Sequence, residues 1–73
     1  MPRTITIENV DVVAETDQAI CISILYENPR FIDEVWIPRS QIADDSDISR
    51  DAVYGDYGSL TITEWIAIQK DLI

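Results

Sequence analysis

Hydrophobic and polar positions alternate along the first third of the chain, and the alternation changes phase once. Ile5 and Ile7 occupy one parity, Val10 and Val12 the other, with Glu8-Asn9 at the change. A one-residue slip sends every later side chain to the opposite face of a strand, so such a phase change predicts a bulge or bend. Residues 4 to 14 are therefore predicted to form a bent first strand. Glu15-Thr16-Asp17-Gln18 is polar and short enough for a hairpin loop. The segment from Ala19 to Tyr26 then places Ile20, Ile22, Ile24 and Tyr26 on one face and Ala19, Cys21, Ser23 and Leu25 on the other. This is the clearest strand signal in the chain.

Glu27-Asn28-Pro29-Arg30 predicts a turn, since Pro29 presets its own φ and Asn28 closes turns through its side chain. A third strand is expected over Phe31 to Ile37, with Val35 and Ile37 on one face and Trp36 on the other. Pro38 has no amide donor, so the strand ends there or lies at the sheet edge. Arg39-Ser40-Gln41-Ile42 predicts a turn that returns Ile42 to the core. In residues 43 to 58, ADDSDISRDAVYGDYG, Ser46 is placed to cap a short helical turn running to about Tyr54. Gly55 would supply its left-handed exit. Ser59 to Ile62 alternates again as a short last strand, and Thr63 is a natural N-cap for a helix opening at Glu64. Trp65, Ile68 and Leu72 recur at helical spacing, widened by Ile66 and Ile73, and predict an apolar helix face lying on the sheet, with Lys70 complementing its negative end. The expected fold is α+β: a small antiparallel sheet of three to four strands, a helical turn in an acidic loop and a C-terminal amphipathic helix. A half-open barrel is the alternative.

Length and charge then bound the function. A chain of 73 residues that is 47% hydrophobic supports one domain and one core, and is too apolar to remain disordered. The lone Cys21 excludes an intramolecular disulfide and a cysteine metal cluster, which suits a reducing, cytoplasmic setting. Neither a signal peptide nor a membrane-spanning run is evident. Histidine is absent. Acid-base work would therefore rest on carboxylates of raised pKa, which a domain this small has little depth to create, and catalysis is not expected. Cys21 lies among isoleucines and a serine, the setting of a packed thiol rather than a nucleophile.

Counted from Asp45, oxygen-bearing side chains fall at the calcium-loop positions 1, 3, 5, 7 and 12 as Asp45, Asp47, Ser49, Asp51 and Asp56. Arg50 nevertheless stands where that loop needs glycine, and Asp56 is shorter than the bidentate glutamate. No cofactor or metal is expected. The net charge of −9 argues against direct contact with nucleic acid or an anionic membrane, and the five basic residues Arg3, Arg30, Arg39, Arg50 and Lys70 form no stripe. Trp36 and Trp65 are expected to pack with the isoleucines.

The 14 carboxylates remain. One reading is that they only maintain solubility. The other is that an acidic face imitates a run of phosphates and occupies a basic nucleic-acid channel, with Asp33, Glu34, Asp44, Asp45, Asp47, Asp51 and Asp56 as contacts. A competing surface is an apolar patch around Phe31, Tyr54 and Tyr57.

At WIPRSQI (Trp36 to Ile42) and TEWIAIQKDL (Thr63 to Leu72) the chain resembles short phage and prophage proteins that pair such a segment with a final tryptophan-containing helix. The likeness covers less than a third of the chain and implies no catalytic residue. In charge and size alone the chain resembles phage-encoded anti-CRISPR and anti-restriction inhibitors, several of which are DNA mimics. That likeness implies a non-enzymatic inhibitor of a basic, nucleic-acid-binding defence effector. The alternative is a phage accessory or structural subunit that associates through its apolar patch.

Overall fold

The computed structural model describes residues 3–25 and 32–72. The predicted Glu27–Arg30 turn, Tyr26, Phe31 and Ile73 lie outside these residues, as do the side chains at positions 25, 32 and 33.

Four strands, β1 (Thr4–Glu15), β2 (Ala19–Leu25), β3 (Ile32–Pro38) and β4 (Tyr57–Thr63), form one antiparallel sheet in the order β3-β2-β1-β4, and a short helix, α1 (Glu64–Gln69), follows β4. The α+β class holds, as an open sheet.

The phase change in β1 has a structural cause. Its register with β4 shifts between Ile7↔Leu60 and Val10↔Gly58, so two residues, Glu8 and Asn9, oppose one. Asn9 takes a left-handed φ of 59°, which asparagine tolerates better than most residues, and its Oδ1 accepts a 3.0 Å hydrogen bond from the Tyr57 hydroxyl. The bulge returns Val10 and Val12 to the face used by Ile5 and Ile7. A second irregularity, at Val13, separates Val12↔Ile22 from Ala14↔Cys21 and bends the strand again.

One face of the sheet carries Val10, Val12, Ile20, Ile22, Ile24, Ile37, Leu60 and Ile62, all buried. Ile42, Ile48, Ala52, Ile66 and Ala67 cover it. Residues 43–58 are thus not a solvated flap, because Ile48 and Ala52 are anchors in the core. They also contain no helix: the segment is a series of turns leading into β4, and a 3-10 turn lies earlier, at Arg39–Gln41. Ser46 is buried and caps no helix. Its Oγ accepts from the Thr61 amide at 2.8 Å, satisfying a donor on the rim of β4. A tertiary acceptor site has outcompeted the local capping geometry.

Thr63 does cap α1, its Oγ1 accepting from the Ile66 amide at 3.3 Å. The helix is only six residues long and ends in a Schellman motif. Leu72 N–H reaches Ala67 C=O at 2.8 Å, Asp71 N–H reaches Ile68 C=O at 3.1 Å, and Asp71 takes the left-handed φ of 57° usually given to glycine. The expected Trp65-Ile68-Leu72 stripe holds only in part, since Leu72 packs against the core together with Ile66, which was expected to widen the stripe. Ile66 and Ala67 are buried, whereas Trp65 is 60% exposed and Ile68 is also exposed. The 66/67 side faces inward, and fewer than two turns of helix cannot bury a second face.

Trp36 is 44% exposed. It pairs with Cys21 on the face opposite the isoleucines, where Cys21 and Ser23 are buried while Glu34 and Trp36 are exposed. Neither indole is a core residue, which corrects the sequence-based expectation for both.

Candidate functional site

No cavity opens among the described residues, so the recognisable features are surface ones. The principal one is the segment from residue 43 to 58, which carries five aspartates against one arginine. It is pinned along its length. Ile42 bridges Ile62, the Ala43 amide donates to Thr61 C=O at 2.9 Å and the Ile48 amide to Ser59 C=O at 2.9 Å, so its first half runs beside β4. Its last residues return to β1, where Gly55 N–H meets Val12 C=O and Val12 N–H meets Asp56 C=O. The Tyr54 amide donates to Glu15 Oε2.

Two arginines supply the remaining ties. Arg39 Nη1 donates to the carbonyls of Arg50 (2.7 Å) and Ala52 (2.8 Å), while its Nε and Nη2 both reach Thr16 C=O (3.1 and 2.9 Å). One planar guanidinium thereby clamps the β1–β2 hairpin to the acidic segment, using the fork of donors that lysine lacks. Arg50 Nε donates to Ile42 C=O at 2.6 Å and its Nη1 lies 3.3 Å from Asp44 Oδ1. The scattered basic residues of the sequence are in part this scaffold, a role their spacing did not reveal.

The carboxylates divide accordingly. Asp44 is paired with Arg50. Asp47 Oδ2 accepts from the Ser59 amide at 3.3 Å and lies against Gly58, where any Cβ would collide with it. Asp56 Oδ2 accepts from the Val53 amide at 3.0 Å. Asp45 and Asp51 are exposed, and no bond to either side chain occurs among the described residues. The body measures 34 × 24 × 18 Å, so at a Debye length of about 8 Å charges on opposite sides are largely screened and repulsion acts between near neighbours. Glu34 is set apart from them, being exposed on β3 at the far edge of the sheet beside Ser23. The Asp33 side chain lies outside the described residues.

Aromatic rings stand among the loop carboxylates. Tyr54 is 72% exposed and Tyr57 60% exposed, and Val53 is exposed beside them. The sequence had marked both tyrosines, together with Phe31, as an alternative patch. It had not marked Trp36, although the parity opposite Val35 and Ile37 already pointed it away from the isoleucines.

Cys21 is buried under its neighbours. Burial first, and the Glu34 carboxylate second, push its thiol pKa up. Both causes favour the neutral thiol, the wrong direction for a nucleophile. No protein family matches the chain, and no curated protein or solved structure shows significant similarity to it.

Proposed function

We propose that this chain is a non-enzymatic inhibitor of the phage-encoded type, whose 43–58 segment docks on a lysine- and arginine-lined, nucleic-acid-recognising surface of another protein. The observation that carries the reading is that five aspartates ride on one segment held at its start, middle and end by Ile42, Arg39 and Gly55. Charges on a tethered segment need little further ordering on binding, so more of their attraction is expressed as affinity. A negative array also steers a positive partner at low salt. Tyr54 and Tyr57 add rigid aromatic area of the kind that anchors protein interfaces.

The test uses the partner captured from a host lysate on the immobilised chain. Its affinity should fall steeply with added salt, it should be displaced by DNA, and it should be lost when Asp44, Asp45 and Asp51 become asparagine together. Asp47 and Asp56 are spared because they also hold the loop. Affinity indifferent to salt and to this triple variant would refute the proposal. In that case the exposure of Tyr54 and Tyr57 favours the second reading, an accessory subunit that associates through an apolar patch. Tyr54→Ser with Tyr57→Ser should then abolish association while the aspartate variant leaves it intact.

A further inference from the structure

The two edges of the sheet are finished differently. The β4 edge is covered by the chain itself, through Ile42, Ala43, Ser46 and Ile48. The β3 edge pairs with nothing among the described residues.

The orientation of its backbone follows from one bond. Arg39 N–H donates to Gln18 C=O at 2.9 Å, and these residues continue the β2–β3 register of Ala19↔Pro38 and Ile20↔Ile37. Hydrogen-bonded and non-bonded pairs alternate along an antiparallel ladder. Ile37, Val35 and Asp33 therefore bond toward β2, while Ile32, Glu34, Trp36 and Pro38 turn their peptide groups outward. Pro38, which has no N–H, falls on the outward set, where its missing donor breaks no ladder bond. The edge thus presents the N–H and C=O of Ile32, Glu34 and Trp36, spaced two residues apart as an incoming strand requires.

Side chains define the occupant. Glu34 and Trp36 are both exposed and share one face of β3, two residues apart. A residue opposite Glu34 on an added strand would pair best as a cation. One opposite Trp36 would meet an indole that attracts lysine or arginine through its ring and packs on their methylene stems. A second copy of this chain is disfavoured, since pairing β3 with itself brings two Glu34 carboxylates and two bodies of charge −9 together.

We propose that β3 is a docking edge for an extended, basic segment of a partner protein, added as a fifth strand with lysine or arginine at alternate positions facing Glu34 and Trp36. The site lies across the sheet from the acidic segment and stands independently of the function proposed for it.

The probe is the blocked hexapeptide acetyl-Lys-Val-Lys-Val-Lys-Val-amide, titrated into the isotopically labelled chain. At saturation the amides of Glu34 and Trp36 should shift and their hydrogen exchange should slow roughly tenfold or more, as expected for edge donors gaining backbone acceptors. N-methylating the peptide at alternate residues separates backbone pairing from charge attraction. One register should weaken binding by roughly tenfold and the other scarcely at all. Glu34→Lys, a substitution at an exposed position, should reject the lysine peptide and accept its glutamate counterpart. The triple variant of Asp44, Asp45 and Asp51 to asparagine should leave lysine-peptide binding at β3 in place, so failure of the acidic-loop reading would not be mistaken for failure of this one. Four outcomes would overturn the proposal: no saturable binding, equal binding of the glutamate peptide by the unaltered chain, equal effects of the two methylation registers, or shifts confined to residues 43–58. Self-association of the chain through β3 would overturn it as well, by assigning the edge to a second copy.

Discussion

The β4 and β3 edges began with the same problem, a row of backbone groups needing partners, and the chain treats them differently. At β4 the chain doubles back, supplying backbone partners at Thr61 and Ser59, a serine hydroxyl at Thr61, and Ile42 and Ile48 as core anchors. At β3 the described residues offer a terminal proline and an exposed glutamate. A covered edge is part of the fold's stability. An uncovered one, guarded only by charge, remains available to a strand of the right charge. The faces differ too: the isoleucine side is closed by Ile42, Ile48, Ala52 and α1, while on the other side Cys21 and Ser23 are buried and Glu34 and Trp36 stay exposed.

If the β4 edge is structural, its variants should be the costly ones. Ile42→Ala, which empties a fully buried site at the bridge to Ile62, should lower unfolding free energy by about 3 kcal/mol in urea titration and speed exchange of nearby β4 amides. Arg39→Ala leaves the carbonyls of Thr16, Arg50 and Ala52 without their donor and should cost about 2 kcal/mol, only partly recovered by lysine. Gly58→Ala, at φ +151° and against the Asp47 carboxylate, should cost about 1.5 kcal/mol by the same titration. Combining it with Asp47→Ala should recover the part caused by the clash. By contrast, Trp65→Ser should change stability by no more than about 0.5 kcal/mol, because that indole is mostly in water; a loss of several kcal/mol would place it back in the core.

The smallest effect concerns pH beneath the open edge. The folded state raises the Cys21 pKa, so the unfolded chain releases the thiol proton first, near the ordinary value of 9.0. Cys21's contribution is fully present below that value and is lost as pH rises through the higher folded pKa. Urea midpoints above pH 9 should therefore decline more in the native chain than in Cys21→Ala, and less after Glu34→Gln, which removes the second cause.

Much of the secondary structure was legible because local patterns encode it. Opposite parities on either side of Glu8-Asn9 require an extra residue if both apolar pairs are to share a face, and the bulge supplies it. Pro38 marked the edge, Thr63 marked the helix start, and the isolated Ile42 marked a return to the core. The acidic segment was read less well. Ser46 has the side chain of an N-cap, with Asp47 beside it, yet its Oγ accepts from the Thr61 amide, fifteen residues away.

Periodicity and capping chemistry by themselves determined the strand faces, the bend in β1, the cap of α1 and the density of negative charge. The tertiary structure alone decided which edge is covered, where the guanidiniums of Arg39 and Arg50 go, and that Trp65 faces outward. Those outcomes depend on partners 6 to 39 residues away, such as Arg50 with Asp44, Arg39 with Thr16 and Ala52, or Tyr54 with Glu15. A pattern that repeats every two or four residues carries no record of such partners. They are selected when closing the chain buries more apolar surface than its lost entropy costs.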